Sequence, residues 1–569
     1  MSGPKESYSR EVMLSNHRLV GEDHREGVNR ICGALKDDDK HFRTLRDIIM
    51  DDRFLFGGRI QASAGSPKST TMHNCFVSGT IADSFVEGDG CITDRFVEAA
   101  TTLRMGGGIG YDFSTLRPSG AMIRKLDSTS SGPMAFMSMF NAMARTVSSS
   151  GHRRGAQMGV MRIDHPDIMN FIHAKQTAGA LDVFNLSIGV TDEFMRCLAE
   201  GRSFNLRFNG HVYQTIDPKM LWDMVMRSTW DYAEPGVVFL DTINRENNLW
   251  YCEKIAATNP CGEQPLPPYG ACLLGSLNLV RYLVPAEGGG YSIDMDQIEE
   301  DMPDIVRAMD NVNDLSHFPL EQQRVEAMNK RRMGIGVTGL ANAIEACGYL
   351  YGSSEFLRLQ AELMKCISEA AYMASAMLAV EKGAFPLFDK ELFGRQGFIS
   401  KMDEGIRETV KETGLRNSHL LSIAPTGSIS FGLGDNVSSS IEPVFSYSQD
   451  RTIVEEGLTR RVDPVTDYGF RVLGVKGKRT KDVTIEEHLA VLKVSQDNVD
   501  SAVSKTINID GSVQFEEFCG VYTRAYEQGA KGCTTFRVDG KREGVIHDTD
   551  TDNGGPTCEI MPDGSKSCE

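Results

Sequence analysis

The chain has 569 residues, 41% hydrophobic and 24% charged, a mix ample for a large hydrophobic core. Its formal net charge of -18 excludes a generalised nucleic-acid coat, which needs a basic surface. No apolar run approaches the roughly 20 residues that span a bilayer, and residues 1–30 are polar and charged, without the apolar core of a signal peptide. A cytoplasmic location without membrane attachment is therefore expected.

Residues 1–50 read as polar helical segments. From 51 to 545, short apolar runs such as 334–337 and 420–423 alternate with longer helical patterns. The strongest of these is 356–382, rich in Ala, Leu, Met and Glu. Such alternation predicts an α/β architecture, and no Pro/Ser-rich linker divides the region. Residues 546–569 are acidic and turn-rich and predict a flexible tail carrying Cys558 and Cys568. Asp548, Asp550, Asp552 and Glu559 have the spacing of a calcium loop. Asn553, however, stands where the sharp turn needs Gly, and Pro556 occupies the ninth position, so calcium is not expected there.

The 13 cysteines include no CxxC and no zinc-spaced set, which predicts free thiols in a reducing compartment and no side-chain metal site. Most are expected to pack as small apolar groups. Two local basic clusters, His152-Arg153-Arg154 and Lys330-Arg331-Arg332, keep small anionic substrates open.

The most informative segment is Asn259-Pro260-Cys261-Gly262-Glu263-Gln264-Pro265-Leu266-Pro267-Pro268-Tyr269-Gly270-Ala271-Cys272. Its prolines exclude regular helix and stiffen the loop. A stiff loop holds a reactive group at fixed geometry. Residues two apart in an extended loop share a side, so Asn259, Cys261 and Glu263 are expected to face one substrate together. That suggests a reactive thiol with an acid/base partner. A proline-rich surface loop with a buried cysteine reads equally well from these residues. The glycines of 106–110 lack GxGxxG spacing, so they read either as close backbone packing or as substrate contact. Residues 424–430 offer backbone N–H groups and hydroxyls suited to phosphate, or form an ordinary Pro-Thr-Gly turn.

The wider pattern separates these readings. Residues 259–263 followed by Gly270-Ala271-Cys272-Leu273-Leu274-Gly275-Ser276-Leu277-Asn278-Leu279 strongly resemble the radical loop of ribonucleotide reductases. His73-Asn74-Cys75-Phe76-Val77 resembles the strand of the first redox cysteine. Gly106 to Phe113 is similar to a glycine-rich family segment, and Arg153-Arg154-Gly155-Ala156-Gln157-Met158 resembles the specificity loop. Residues 424–430 look like the substrate phosphate loop, and 500–508 and 532–537 resemble late elements. The resemblance covers about 55–545.

It implies a ten-stranded α/β barrel over 51–545 with the Cys261 loop as a central finger. It also implies a short helical region at 1–50 without an ATP-cone, and a redox-active cysteine tail at 546–569. Cys261 would carry the thiyl radical that takes the ribose 3′-hydrogen. Glu263 would accept the 3′-hydroxyl proton as general base, and Asn259 would hydrogen-bond the sugar hydroxyls. Cys75 and Cys272 match the redox pair that closes to a disulfide. Cys558 and Cys568 would reopen it and be recharged by thioredoxin or glutaredoxin, although their nine-residue separation is wider than that of the family's tail pair. Ala424, Pro425, Thr426, Gly427, Ser428, Ile429 and Ser430 would bind substrate phosphate, and Gly107 and Gly108 would offer backbone on the substrate side. Asp83, Ser84, Arg153 and Arg154 match positions that read dNTP or ATP specificity effectors at a dimer interface, so a homodimer is expected.

Thr534-Thr535-Phe536-Arg537 stands where the oxygen-dependent class has a tyrosine pair, Tyr522 and Tyr526 read as packing residues, and Gly554-Gly555 lacks a glycyl-radical context. These features, with the motif wording, point to adenosylcobalamin, the class II cofactor. A ribonucleoside diphosphate is the favoured substrate, although sequence does not decide against a triphosphate. The alternatives are a class I large subunit needing a separate radical-generating metalloprotein, and a noncatalytic nucleotide-binding homologue.

Overall fold

The structure is a computed structural model that describes residues 3–147, 156–177, 179–454, 460–537, 558–560 and 566–568, with backbone only for 449–454, 460–463 and the last two stretches. Three helices, α1 (Ser7–His17), α2 (His24–Leu35) and α3 (Asp39–Met50), precede the first strand, β1 (Phe54–Phe56). Their polar sequence is partly capping chemistry. The Asp23 carboxylate accepts the Glu26 amide at 2.8 Å, and Glu26 accepts the Asp23 amide at 2.9 Å, a reciprocal box that satisfies two orphan donors of α2.

The strands that follow are β2 (Cys75–Val77), β3 (Gly108–Asp112), β4 (Gln157–Arg162), β5 (Phe184–Val190) and β6 (Gly236–Phe239). After a short hairpin, β7 (Ala257–Thr258) and β8 (Pro265–Leu266), come β9 (Ala271–Cys272), β10 (Leu274–Asn278), β11 (Gly334–Thr338), β12 (Thr506–Ile509) and β13 (Gly532–Arg537). One sheet has the order β9-β2-β3-β4-β5-β6-β13-β12, and a second the order β1-β10-β11. Strands β2 to β6 run parallel to their neighbours. The pairs β9/β2 and β6/β13 are antiparallel, and β10/β11 and β12/β13 are parallel. Only Leu273 separates β9 from β10. On the other side, parallel bridges link Ile335 to Leu421 and Ile423 to Val503, three residues before β12. Strands β10 and β11 are buried throughout, as expected of parallel strands covered on both faces.

The apolar run at 420–423 forms these single bridges rather than a full strand. The Asp500 carboxylate takes the Leu420 and Leu421 amides at 2.7 and 3.0 Å, so a side chain replaces part of the ladder. The predicted helix at 356–382 is Ser354–Lys382. Ser353 caps it by accepting the Phe356 amide at 3.2 Å, and Gly383, at φ 82°, ends it. By length and composition this helix could cross a membrane, but most of its apolar stretch is buried inside the protein.

The β7/β8 hairpin lies against β3, and two glycines permit that contact. A Cβ on Gly110 would sit 1.8 Å from the Thr258 carbonyl oxygen, and one on Gly108 would sit 3.0 Å from Pro260 Cγ. Gly110→Ala should therefore lower the unfolding free energy by about 1–3 kcal/mol, since the clash is with backbone. Gly33→Ala, on an exposed face of α2 with nothing within 4 Å of a new Cβ, should raise it by about 0.5–1 kcal/mol. Denaturant titration of both variants checks the pair.

Candidate active site

The hairpin tip is a tight turn. The Gly262 amide donates to the Asn259 carbonyl at 3.1 Å, the Asn259 amide to the Gln264 carbonyl at 3.0 Å, and the Gln264 amide to Asn259 Oδ1 at 2.9 Å. Gly262, at φ 85°, supplies the left-handed step. The expectation that Asn259, Cys261 and Glu263 share one side of an extended loop is thereby corrected, because a turn breaks the alternation that argument needs. Asn259 and Glu263 are buried, whereas Cys261 is exposed at the tip.

The buried side gathers the other groups. Asn259 Nδ2 donates to Cys75 Sγ at 3.1 Å, and Cys75 Sγ donates to Glu263 Oε1 at 3.8 Å. Cys75 and Cys272 are register partners in the antiparallel pair β2/β9. Such partners lie about 4.5–5.5 Å apart at Cα, inside the window for a disulfide. Both are free thiols here, as are the other cysteines whose side chains are described. Asn259, Cys261, Glu263, Cys75 and Cys272 thus come together from the hairpin and two strands.

Burial dominates the electrostatics of this group. It pushes the Glu263 carboxyl up, against the hydrogen bond from Asn259. It pushes the Cys75 thiol far up, reinforced by the Glu263 charge and opposed by Asn259. Cys272 is also raised by burial, opposed by Arg332. Glu263 Oε2 is buried without a hydrogen-bond partner among the described residues. Such an atom is costly unless a ligand satisfies it.

Cys261 opens on a cleft of about 770 Å³, which also reaches Pro425, Gly427, Ser438, Ser439 and Lys505. In the 424–430 segment, Thr426 adopts φ 55° and leads into a short helix, Gly427–Gly432. The Thr426 hydroxyl oxygen accepts the Ser440 amide at 2.7 Å, and the Ser430 hydroxyl donates to the Gly427 carbonyl at 3.1 Å. Both hydroxyls hold the turn itself. What faces the cleft is the stretch at Pro425 and Gly427, where a Cβ on Gly427 would meet nothing within 4 Å. Helix α1 braces the far side. His17 Nε2 lies 3.1 Å from the Ser428 carbonyl, and Met13 packs with Ile429 and Leu433. Ala424 is buried with Cys75 and Cys272 in one apolar cluster.

The remaining expectations fall as follows. Gly108 packs on Pro260 of the hairpin, while a Cβ on Gly107 would strike the Phe76 ring of β2 at 2.5 Å, so both glycines serve close packing. Asp83 is paired with Arg117, accepting from its amide at 3.0 Å and its Nε at 2.9 Å, and Ser84 Oγ accepts the Glu87 amide at 3.0 Å. Arg153 and Arg154 lie outside the described residues, as does most of the 548–559 segment. Cys558 and Cys568 are described by backbone alone and face each other as register partners of a two-stranded sheet. Lys330-Arg331-Arg332 is not an anion site. Lys330 pairs with Glu253 and Glu326, Arg331 with Asp310 and Asp314, and Arg332 with Glu253, all three cations being buried. Tyr522 is buried and packs against Trp222 and Phe518. No cluster of metal-ligating side chains occurs among the described residues. Sequence reading missed Ser438, Ser439 and Lys505 as cleft residues, because only the fold brings them beside Cys261.

Residues 73–487 match the family model for the ribonucleotide reductase barrel domain. The chain is 37% identical over 480 residues to a vitamin B12-dependent ribonucleoside-diphosphate reductase of Mycobacterium tuberculosis, covering 79% of this chain and 66% of that protein. It is 33% identical over 501 residues to the protein of the same name from Thermoplasma acidophilum, covering 83% and 62%. It is 24% identical over 439 residues to a ribonucleoside-diphosphate reductase subunit alpha of Chlamydia pneumoniae, covering 67% and 41%. The chain belongs to the ribonucleotide reductase family. It spans just under two thirds, or less, of the length of these relatives.

The burial pattern sets an order of thiol reactivity. A brief iodoacetamide pulse should label Cys261 at least about tenfold faster than Cys75 or Cys272, because it is exposed while burial covers the other two and pushes their thiols up. Peptide mass mapping reads the three rates, and equal labelling contradicts the placement.

Proposed function

We propose that the chain reduces ribonucleotides to 2′-deoxyribonucleotides through a thiyl radical on Cys261, with adenosylcobalamin as radical source. The observation that carries this reading is the convergence of Asn259, Cys261 and Glu263 of the hairpin with Cys75 and Cys272 of the adjoining strands, beside a large cleft. Two similar proteins named vitamin B12-dependent support the cofactor, and their names favour a diphosphate substrate.

The cleft suits a bulky group. It is wide, Cys261 is exposed in its wall, and Val437, Val444, Phe445 and Phe536 give it apolar surface. Residues on β5 and β13, including Ser187, Thr534 and Phe536, would hold the cofactor. When bound, adenosylcobalamin supplies an organic radical. The chain's own residues do the rest. Cys261 Sγ takes the ribose 3′-hydrogen and later returns it. Glu263 accepts the 3′-hydroxyl proton at its unpartnered Oε2, and its raised pKa makes it a better base near neutral pH. Asn259 orients the sugar hydroxyls. The 2′-oxygen leaves as water, with two electrons and two protons from the Cys75 and Cys272 thiols, which close to a disulfide. Residues 424–430 receive the substrate phosphates at their turn.

The two sheets, the 420–423 stretch and Val503 are read as one ten-stranded barrel over 51–545, with 1–50 as a helical flank and 546–569 as a redox tail. Cys558 and Cys568, opposite each other in register, reopen the disulfide and are recharged by thioredoxin or glutaredoxin. Asp83, Ser84, Arg153 and Arg154 read a dNTP or ATP effector in a homodimer. Free thiols throughout the described cysteines support a reducing, cytoplasmic location.

The test is an anaerobic assay of the purified chain with adenosylcobalamin, dithiothreitol and each ribonucleoside di- or triphosphate, scoring deoxynucleotide. Product is expected without a second protein. A strict requirement for a metalloprotein partner would instead place the chain with the subunit-alpha relatives. In the same assay, Cys558→Ser with Cys568→Ser should stop thioredoxin-driven turnover and spare turnover with dithiothreitol.

A further inference from the structure

Between the hairpin and β9 the chain makes a turn that one of its residues does not favour. The Gly270 amide donates to the Pro267 carbonyl at 2.8 Å, so residues 267–270 form a β-turn with Pro268 second and Tyr269 third. Tyr269 has φ 63° there. A left-handed third position usually takes Gly or Asn, and a bulky side chain in it is an outlier. Such a residue persists where its surroundings hold it.

Arg95, on the helix Ile92–Arg104, is what holds it. Arg95 Nη1 donates to the Tyr269 hydroxyl and to Glu98 Oε2, and the hydroxyl donates to Glu98 Oε1 at 3.3 Å. The guanidinium carbon lies 5.0 Å from the centroid of the tyrosine ring. Gly79 makes room for both groups, since a Cβ there would lie 2.5 Å from Tyr269 Cζ and 2.7 Å from Arg95 Cζ. The other end of the fork is also engaged, with Arg95 Nε donating to the Thr80 carbonyl at 3.0 Å.

Thr80 and Tyr269 belong to the two chain segments that carry the redox cysteines. Thr80 lies just beyond β2, which holds Cys75, and Tyr269 just before β9, which holds Cys272. Backbone bonds continue between the same segments. The Val77 amide donates to the Gly270 carbonyl at 2.9 Å, and the Tyr269 amide to the Ser78 carbonyl at 3.4 Å. Arg95 therefore spans the end of the β2/β9 pair as a clip, and Cys75 opposite Cys272 lies within that pair. A disulfide closes only within a narrow range of separation and direction, so what fixes the two strands also sets how readily it forms.

We propose that Arg95 is a positioning residue for the redox pair: by joining Thr80 to Tyr269 it holds β2 and β9 in the arrangement in which Cys75 and Cys272 close. This rests on the reading of Cys75 and Cys272 as the redox pair. In closing, the two S–H bonds break and one S–S bond forms, and two protons and two electrons pass to the departing 2′-hydroxyl, which leaves as water. Oxidised dithiothreitol takes the same two protons and two electrons when it stands in for the substrate. Without the clip the thiols sample a wider range of separations, and closure becomes less favourable.

The test equilibrates the full chain anaerobically with graded ratios of oxidised to reduced dithiothreitol. Acid quench and peptide mapping then read the fraction holding the Cys75–Cys272 disulfide. Tyr269→Phe removes the hydroxyl and leaves the ring. At half closure it should need a roughly three- to tenfold higher ratio than wild type, the net effect of one hydrogen bond. Tyr269→Gly keeps the left-handed turn without the ring and should shift at least as far, which a role confined to backbone conformation would not produce. Arg95→Lys, which can still reach the hydroxyl with a single donor, should fall between wild type and Arg95→Met. Iodoacetamide labelling of Cys261 should keep its wild-type rate in each variant. A wild-type midpoint in Tyr269→Phe would overturn the proposal. So would a Cys261 rate that shifts in step with the midpoint, because the loss would then belong to the whole hairpin. If no Cys75–Cys272 disulfide forms in wild type at any ratio, the redox-pair reading falls and takes the proposal with it. A disulfide that forms equally well without the hydroxyl removes only the role of Arg95.

Discussion

Everything at this site depends on a backbone hairpin being laid against a sheet with no room between them. The Thr258 carbonyl oxygen occupies the space a side chain at position 110 would fill, and Pro260 presses on Gly108. Because strand β3 presents hydrogens there, the hairpin tip can approach β2 and β9, where Cys75 and Cys272 lie. The tip is then fixed by Asn259, whose amide closes the turn to Gln264 and whose side chain reaches Cys75. Glycines under the hairpin, prolines within it and the buried Asn259 contacts are parts of one constraint.

That constraint divides the thiols by role. Cys261 is carried outward to a cleft of about 770 Å³. Cys75 and Cys272 are sealed behind it, with burial pushing both thiols up and keeping them protonated. A protonated thiol supplies a proton as well as an electron, which suits the redox role proposed for the pair. Glu263 sits between the two regions, bonded to Cys75 through one oxygen and unpartnered at the other.

Much of this was legible in the sequence, for reasons that differ by residue. The Pro-rich stretch at 259–268 announced a stiff loop with a thiol and a carboxylate on it, and the alternation of apolar runs and helices announced an α/β fold. The long helix near 356–382 was visible because capping at Ser353 and termination at Gly383 follow local rules. Other features depend on partners distant in sequence. Nothing local shows that the turn at Gly262 would leave Cys261 exposed while Asn259 and Glu263 are buried, or that Asp500 would replace part of the ladder at 420–421. The Lys330-Arg331-Arg332 run looked like an anion site, because Glu253 and Asp310, which neutralise it, come from elsewhere in the chain.

The central claim is that Cys261 takes the 3′-hydrogen of a bound ribonucleotide. The most direct measurement is release of tritium from a 3′-tritiated ribonucleotide by wild type and Cys261→Ser, with adenosylcobalamin and dithiothreitol, alongside nucleotide binding by both proteins. The account predicts partial release in wild type, from exchange of the thiol-held tritium with solvent before it is returned to the sugar, and none above background in Cys261→Ser while nucleotide affinity is kept. Tritium release that persists in Cys261→Ser would contradict it, because another group would then be breaking that bond.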